Sequence, residues 1–327
     1  TFRRKVIGIT SDSRDICVFY WQPRAAIAVG VRNRTSLAQL VPNFVSIGVV
    51  CGVGMIKIGR PTCCRFHFVH DTTLLGGAPY FRVVASLFIL LPPSEGKAEG
   101  GAISKPWRES SGACGKSLTS QRKALVDRLH TLKGGDATLL GVKGKHLDRA
   151  RQANSCLRGS PSLPAFQRYT GVVWDHLDLA TLTRAQRDRA LGSIIVISGL
   201  LGAVGADEPV PDYRLKMGAR LAPLGLLSRW WHDDLSAMLN KKFKGSVVID
   251  LLPQEHRAAF TLDTDIVAKH IVVAINEKSG KAGGHDAKAA KGRLARHLVQ
   301  TCTSSSQVAK SLQSFRDPRF VVTSDLA

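Results

Sequence analysis

Leu87-Phe88-Ile89-Leu90-Leu91 is an unbroken apolar run, closed by Pro92-Pro93 and followed by Ser94-Glu95-Gly96-Lys97. Five residues suit a strand and are too few for a helix, and the lack of alternation suits a strand covered on both faces. Proline cannot donate to a ladder, so the strand stops there. The polar turn after it sits at the strand's carboxyl end, where sites collect in α/β sheets. Two more runs read alike: Ser193-Ile194-Ile195-Val196-Ile197 before Ser198-Gly199, and Val247-Val248-Ile249-Asp250-Leu251-Leu252. A fourth strand is expected over 266–275. Helical patterns lie between them. One starts near Thr119, with Leu125, Leu129 and Leu132 as a core stripe. Another covers 177–191, with Thr183 as the cap ahead of Arg184, and a third runs from Asp286 to Gln300. This alternation predicts a mixed α/β fold: one compact domain over 87–327, its mixed sheet surrounded by helices. Residues 99–118, rich in Gly, Ser and Lys, are expected to be an exposed loop. Gly115-Lys116-Ser117 imitates the end of a phosphate-binding loop, but Ser110 stands where that motif needs glycine.

The most informative local pattern is at 136–153. A short helix over 136–140 leads into Gly141-Val142-Lys143-Gly144-Lys145, and then a second helix begins. This spacing predicts a helix-hairpin-helix. The two glycines permit a tight turn, and Val142 would plug into the core between the helices. The N–H groups at Gly144 and Lys145 would face outward at a helix amino end, a favourable place for a phosphate. Lys143, Lys145, Arg149 and Arg151 add positive charge nearby. The alternative is a glycine-capped helix end with a solvated basic face.

The chain has 327 residues, 46 Lys and Arg, 25 Asp and Glu and a net charge of +21, with 44% hydrophobic residues. That composition excludes a disordered or collagen-like chain and favours a polyanionic partner. The excess is uneven: residues 1–86 carry 11 of the basic residues but only three acids, Asp12, Asp15 and Asp71. Four of the seven cysteines also fall there, at 17, 51, 63 and 64. Cys63-Cys64 with His67 and His70 lacks the C-x2–4-C spacing of a zinc site, so no metal is expected and free thiols in a reducing compartment are the simpler reading. The uncharged stretch 35–56 is too rich in Gly, Pro, Ser and Asn for a membrane span. Residues 1–86 show no sustained periodicity. They are expected to be an N-terminal extension, upstream of the natural start or poorly ordered, with a small extra domain as the alternative.

Seven blocks beyond residue 87 together resemble one bacterial family, the YaaA-type peroxide-stress proteins. They are 91–98 (Leu-Pro-Pro-Ser-Glu-Gly-Lys-Ala), 168–172 (Arg-Tyr-Thr-Gly-Val), 197–202, 211–221 (Pro-Asp-Tyr-Arg-Leu-Lys-Met-Gly-Ala-Arg-Leu), Arg229-Trp230-Trp231 with Leu239-Asn240, 247–251, and 287–296. Residues 1–86 carry none of them. After the strand at Val247 the chain departs from the family pattern, and Glu255 is the position retained. The resemblance implies a cytoplasmic protein that limits damage when hydrogen peroxide meets intracellular iron. It also implies a compact α/β fold with a helix-hairpin-helix, and DNA binding through a positively charged cleft.

The residues expected to form the phosphate contact are Gly141, Val142, Lys143, Gly144, Lys145 and Arg149. A further anion site is expected from Ser94, Lys97, Tyr169, Thr170, Tyr213, Arg214, Lys216, Arg220, Lys288, Lys291 and Arg296, because Arg forks and Lys point charges hold phosphate. The bland readings are a core tyrosine at 213, packing tryptophans at 230 and 231, and an ion pair of Arg214 with Asp212 or Glu208. One functional expectation is a monomer that binds DNA regardless of sequence, without turnover, cofactor or membrane contact. The other is an enzyme acting on nucleic acid or a nucleotide, lyase-like, with Lys97 as nucleophile or base. Direct iron binding is disfavoured, since the ten histidines are dispersed.

Overall fold

The computed structural model describes residues 86–279 and 285–324, together with five strands among the first 58 residues. Those five strands (Val6–Ser11, Arg14–Trp21, Ala26–Gly30, Ile47–Cys51, Gly54–Ile58) pair in chain order. Only the third and fourth run parallel. The sequence periodicity did not announce them. The rest of the segment expected to be an extension, including the Cys63, Cys64, His67 and His70 grouping, lies outside the described residues.

Residues 80–327 form a separate unit. Its strands are β1 (Leu87–Leu91), β2 (Ile194–Ser198), β3 (Gly202–Gly205), β4 (Val247–Asp250), β5 (Lys269–Glu277) and β6 (Phe320–Ser324). They stand side by side in the order β3-β2-β1-β4-β5-β6. The four central strands are parallel, and an antiparallel strand closes each edge. Ile89 to Leu91 and the whole of β2 are buried, as unbroken apolar runs require, whereas β5 alternates toward the edge. Because β2 and β4 flank β1 on opposite sides, the chain diverges at the carboxyl end of β1. In an open α/β sheet that divergence opens a crevice.

The helices that matter are α1 (Thr119–Thr131), α2 (Ala137–Leu140), α3 (Lys145–Ser155), α4 (Val172–Leu177), α5 (Arg184–Ser193), α6 (Leu227–Lys242), α7 (His285–Thr301) and α8 (Val308–Ser314). Thr183 caps α5 with a full capping box, its side chain accepting from the N–H of Gln186. The expected helix over 177–191 is instead divided. Asp178 takes a left-handed conformation (φ 42°), which ends α4, and a 3-10 turn intervenes before α5. Leu125 and Leu129 are buried as expected, but Leu132 is 36% exposed, because α1 stops at Thr131 and Leu132 sits on its cap. Gly134 (φ 86°) then turns the chain so tightly that a Cβ would stand 2.2 Å from the Arg151 carbonyl oxygen. The fourth strand begins at Lys269 rather than at Ile266.

Residues 99–118 are not an exposed loop. Trp107, Cys114 and Leu118 are buried, and Gly112–Ser117 is a short helix. Glu208 holds its start by accepting from the N–H groups of Ala113 (3.0 Å) and Cys114 (3.2 Å). The main anchor is Arg122, 1% exposed. Its guanidinium donates to four carbonyl oxygens: Leu201 (2.9 Å), Ala203 (2.9 Å), Glu109 (3.1 Å) and Ser111 (2.9 Å). At the end of β4, the buried Asp250 accepts from Arg257 Nε (2.8 Å) and the N–H of Leu252 (2.8 Å), with His270 Nε2 at 3.3 Å. Burial works against its ionised form, but His270 and Arg257 prevail and hold its carboxyl below the usual range.

The cations of the C-terminal helix, Lys291 and Arg296 of the expected anion site among them, are mostly consumed in packing. Lys291 donates to the Leu251 carbonyl (2.8 Å), and Arg293 pairs with Asp317 (2.6 Å). Arg296 donates to the carbonyls of Leu177 (3.0 Å) and Asp178 (2.6 Å). Gly292 lets α7 lie directly on α4, since a Cβ there would meet the Val173 carbonyl oxygen at 2.3 Å. Among the described residues no helix is long and apolar enough to cross a membrane.

Replacing Arg122 by leucine leaves four carbonyls without their donor. It is expected to lower the unfolding free energy by about 3 kcal/mol, read from the denaturant midpoint at constant slope. An unchanged midpoint would mean that the guanidinium holds nothing together.

Candidate functional site

Where β1 ends, Ser94 to Lys97 turn across the crevice. Gly96 and Lys97 pair antiparallel with Thr170 and Tyr169, so the two polar turns singled out in the sequence are hydrogen-bonded neighbours. The Ser94 hydroxyl donates to the Thr170 carbonyl. The adjoining Arg168, fully buried, donates to the carbonyls of Val210 (3.1 Å), Gly100 (2.9 Å), Pro161 (3.3 Å) and Ala98. It therefore fixes the walls around Tyr169, with four of its five donors committed to the backbone.

Beneath the turn runs a buried hydroxyl chain. Ser198 Oγ, at the end of β2, accepts from the N–H groups of Leu200 (3.3 Å) and Leu201 (3.2 Å). Both its lone pairs are thus engaged, and its hydrogen goes to Tyr213 Oη at 2.6 Å. Tyr213 Oη is in turn hydrogen-bonded to Tyr169 Oη at 2.9 Å. Burial pushes the Tyr213 phenol up to about 12 and that of Tyr169 well above its usual range, so both stay protonated.

Lys97 lies against this chain. Its Nζ donates to the Ser94 carbonyl (2.9 Å) and stands 4.1 Å from the centre of the Tyr213 ring and 5.6 Å from that of Tyr169. Burial brings its pKa down to about 7. Asp212 opposes the shift and Arg214 adds to it.

The cations around it are tethered. Arg214 donates through Nε to the Leu140 carbonyl (2.9 Å) and pairs with Glu95 (2.6 Å), whose other oxygen is 3.0 Å from Lys216 Nζ. Burial disfavours the Glu95 carboxylate, but Lys216 and Arg214 outweigh it and hold the acid below its usual range. Arg149 of α3 bridges Glu99 (3.0 Å) and Asp212 (3.3 Å). Asn154 stitches α3 to this strand of chain, accepting from the Arg214 N–H (2.9 Å) and donating to the Arg214 carbonyl (2.9 Å). Lys97, Val142, His146, Arg149, Tyr213 and Arg214 thus surround a cavity of about 280 Å3.

A sequence profile described as peroxide stress protein YaaA matches residues 87–326. The chain belongs to the YaaA family. It is 34% identical over 245 residues to a UPF0246 protein of Streptomyces coelicolor, covering 73% of this chain and 93% of that one. It is 32% identical over 219 residues to a UPF0246 protein of Corynebacterium glutamicum, covering 65% and 85% respectively. An uncharacterised Campylobacter jejuni protein is 26% identical over 211 residues. The fold described above and this family's profile coincide in extent, and both begin at β1.

Of the residues singled out in the sequence, the structure brings Ser94, Lys97, Tyr169, Thr170, Tyr213, Arg214, Lys216 and Arg149 together. Gly141 joins them, since a Cβ there would lie 3.5 Å from Lys216 Nζ. Tyr169 and Tyr213 contribute from below as buried groups; for Tyr213 the bland reading had it so. The ion-pair partner of Arg214 is Glu95, however, not Asp212 or Glu208. Val142 is half-buried on the cavity wall rather than plugged between two helices, and α2 is a single turn, so this geometry does not by itself make a helix-hairpin-helix. Lys143, Gly144 and Lys145 are exposed. Arg220 lies elsewhere, with Arg128 and Arg151 around a second cavity of about 510 Å3. Lys288 is exposed on α7, while Lys291 and Arg296 are bound up as described. Ser198, Glu95, His146 and Asn154 were not among the expected site residues, and Asp212 entered only as a possible partner of Arg214. Ser198 carried a signal as the polar residue directly after an apolar run, and Glu95 carried one as part of the polar turn that follows β1.

A lysine charged in the unfolded chain but with a folded pKa near 7 costs stability fully below pH 7, and progressively less as pH rises toward 10.5. Relative to Lys97→Met, the native chain should gain in unfolding midpoint between pH 7 and 10. Parallel pH profiles for the two proteins would show that Lys97 titrates normally.

Proposed function

We propose that this YaaA-family, peroxide-stress-associated chain binds DNA without regard to sequence, and in that way limits damage from peroxide and iron. In this reading residues 136–153 serve as a helix-hairpin-helix, and the basic crevice beside them takes the backbone. The observation that carries it is the turn at 141–145. Gly141 (φ 62°) and Gly144 (φ 55°) both take left-handed conformations, and Gly144 begins the eleven-residue α3. Lys143 and Lys145 flank it, exposed and with no acidic partner among the described residues. Backbone N–H groups at a helix start, a favourable dipole and two uncommitted cations suit a phosphate and carry no information about base identity. The net charge of +21 supports a polyanion. Cys114, Cys156 and Cys302 are free thiols, which suits a reducing cytoplasm. The reading needs no cofactor and no turnover.

Affinity for duplex DNA should fall steeply and linearly on a logarithmic salt scale, with little change between unrelated sequences. Replacing Lys143 and Lys145 together by alanine should reduce that slope by about two. Gly144→Val should weaken binding through backbone strain alone, because nothing lies within 4 Å of the added Cβ. Affinity that stays flat from low to moderate salt would sink the proposal.

A further inference from the structure

We propose that Lys97 is a carbonyl-condensing amine, which forms a Schiff base with a phosphate-bearing aldehyde entering the cavity it shares with Val142, His146, Arg149, Tyr213 and Arg214. This goes beyond DNA binding, and one of its two forms, an opened sugar within a DNA strand, rests on that reading.

The first support is the way the charges are shared out. Two carboxylates line this cavity, and both are committed: Asp212 to Arg149 at 3.3 Å, and Glu95 to Arg214 at 2.6 Å and Lys216 at 3.0 Å. Among the described residues none lies within ion-pair distance of Lys97 Nζ. A half-buried lysine placed only for structure would ordinarily be given one of these acids. Here the acids fix the arginines, and the amine is held by a neutral carbonyl at 2.9 Å and an aromatic face. The second support is protonation. An ordinary lysine is almost wholly charged at neutral pH, and a charged amine has no lone pair to give. With its pKa near 7, about half of the Lys97 amine carries a free lone pair there, while the neighbouring phenols remain protonated. The single hydrogen bond to Ser94 uses one N–H and leaves that lone pair available. The third support is position. Val142 and His146, which line the cavity, are the chain neighbours of the exposed Lys143 and Lys145, so two cations lie one residue from the wall of the cavity that holds Lys97.

The chemistry balances without any redox partner. The Nζ lone pair adds to the carbonyl carbon, and the carbonyl π electrons move to oxygen. A proton passes through solvent from nitrogen to that oxygen, giving a carbinolamine. The nitrogen lone pair then expels that hydroxyl, which takes a proton from solvent and leaves as water, and the iminium nitrogen returns its own proton to solvent, so that a carbon–nitrogen double bond remains. Nothing is oxidised or reduced, and one water is released.

The aldehyde could be a deoxyribose opened where a DNA strand has lost its base, or a free sugar phosphate. The test uses the full chain with sodium borohydride, which reduces the imine to a stable secondary amine. One arm contains duplex with a single abasic position, the second contains glyceraldehyde 3-phosphate, and intact duplex is the control. A covalent adduct mapped to Lys97, with a pH dependence centred near 7, is the expected result in at least one arm. The arm that gives it identifies the source. Lys97→Arg, which keeps a cation but cannot condense, should lose the adduct. Lys97→Met should lose it too, while still unfolding cooperatively. No adduct in either arm overturns the proposal, as does an adduct carried equally by Lys143 or Lys145, or one that survives Lys97→Arg. Binding of intact duplex without trapping would overturn this proposal and leave the DNA-binding reading standing. Trapping of glyceraldehyde 3-phosphate without duplex binding would do the reverse.

Discussion

Two arginines, Arg122 and Arg168, are almost completely buried, and their guanidinium groups donate to backbone carbonyls alone. Removing a guanidinium from water is costly, and the cost is met only if its donors find acceptors in the right places. Arg122 gathers the carbonyls of 109, 111, 201 and 203, and Arg168 those of 98, 100, 161 and 210. Each therefore ties the long segment after β1 to the chain following β2. Burial pulls both below their usual range, yet an arginine starts so high that it stays charged. The crevice at the carboxyl end of β1 owes its walls to these two groups.

With the walls set, the floor follows. Tyr169 neighbours Arg168 in the chain, and of Leu200 and Leu201, whose N–H groups meet Ser198 Oγ, Leu201 gives its carbonyl to Arg122. The hydroxyl chain from Ser198 through Tyr213 to Tyr169 is thereby held between two fixed points. Lys97 rests on the aromatic rings of that chain. Its lowered pKa is the outcome of a contest in which burial outweighs the attraction of Asp212, itself partly spent on Arg149.

Much of the scaffold was legible. An unbroken apolar run stopped by prolines can be little other than a central parallel strand, and β1, β2 and β4 lie within a few residues of where such runs stand. The cap at Thr183 was equally readable, because a capping box is satisfied within four residues. The misreadings share one origin. Leu132 fits the helical stripe, but the helix ends one residue earlier, where Lys133 and Gly134 turn left-handed. Residues 99–118 look like a solvated loop because nothing local reveals that Arg122 and Glu208 bind their backbone. Arg296 and Lys291 look like free cations until α7 is laid on α4 and on the end of β4.

The sequence by itself determined the strands, the polar turns after them, the glycine-rich hinge at 141–144, the basic balance and the family. Each of these rests on neighbours in the chain or on composition. The tertiary structure alone decided which of the cations remain uncommitted, which acids they meet and what protonation state Lys97 keeps. Desolvation and ion pairing depend on groups brought together from across the chain, Lys97 with Tyr213, Glu95 with Arg214, and no local pattern encodes such sums.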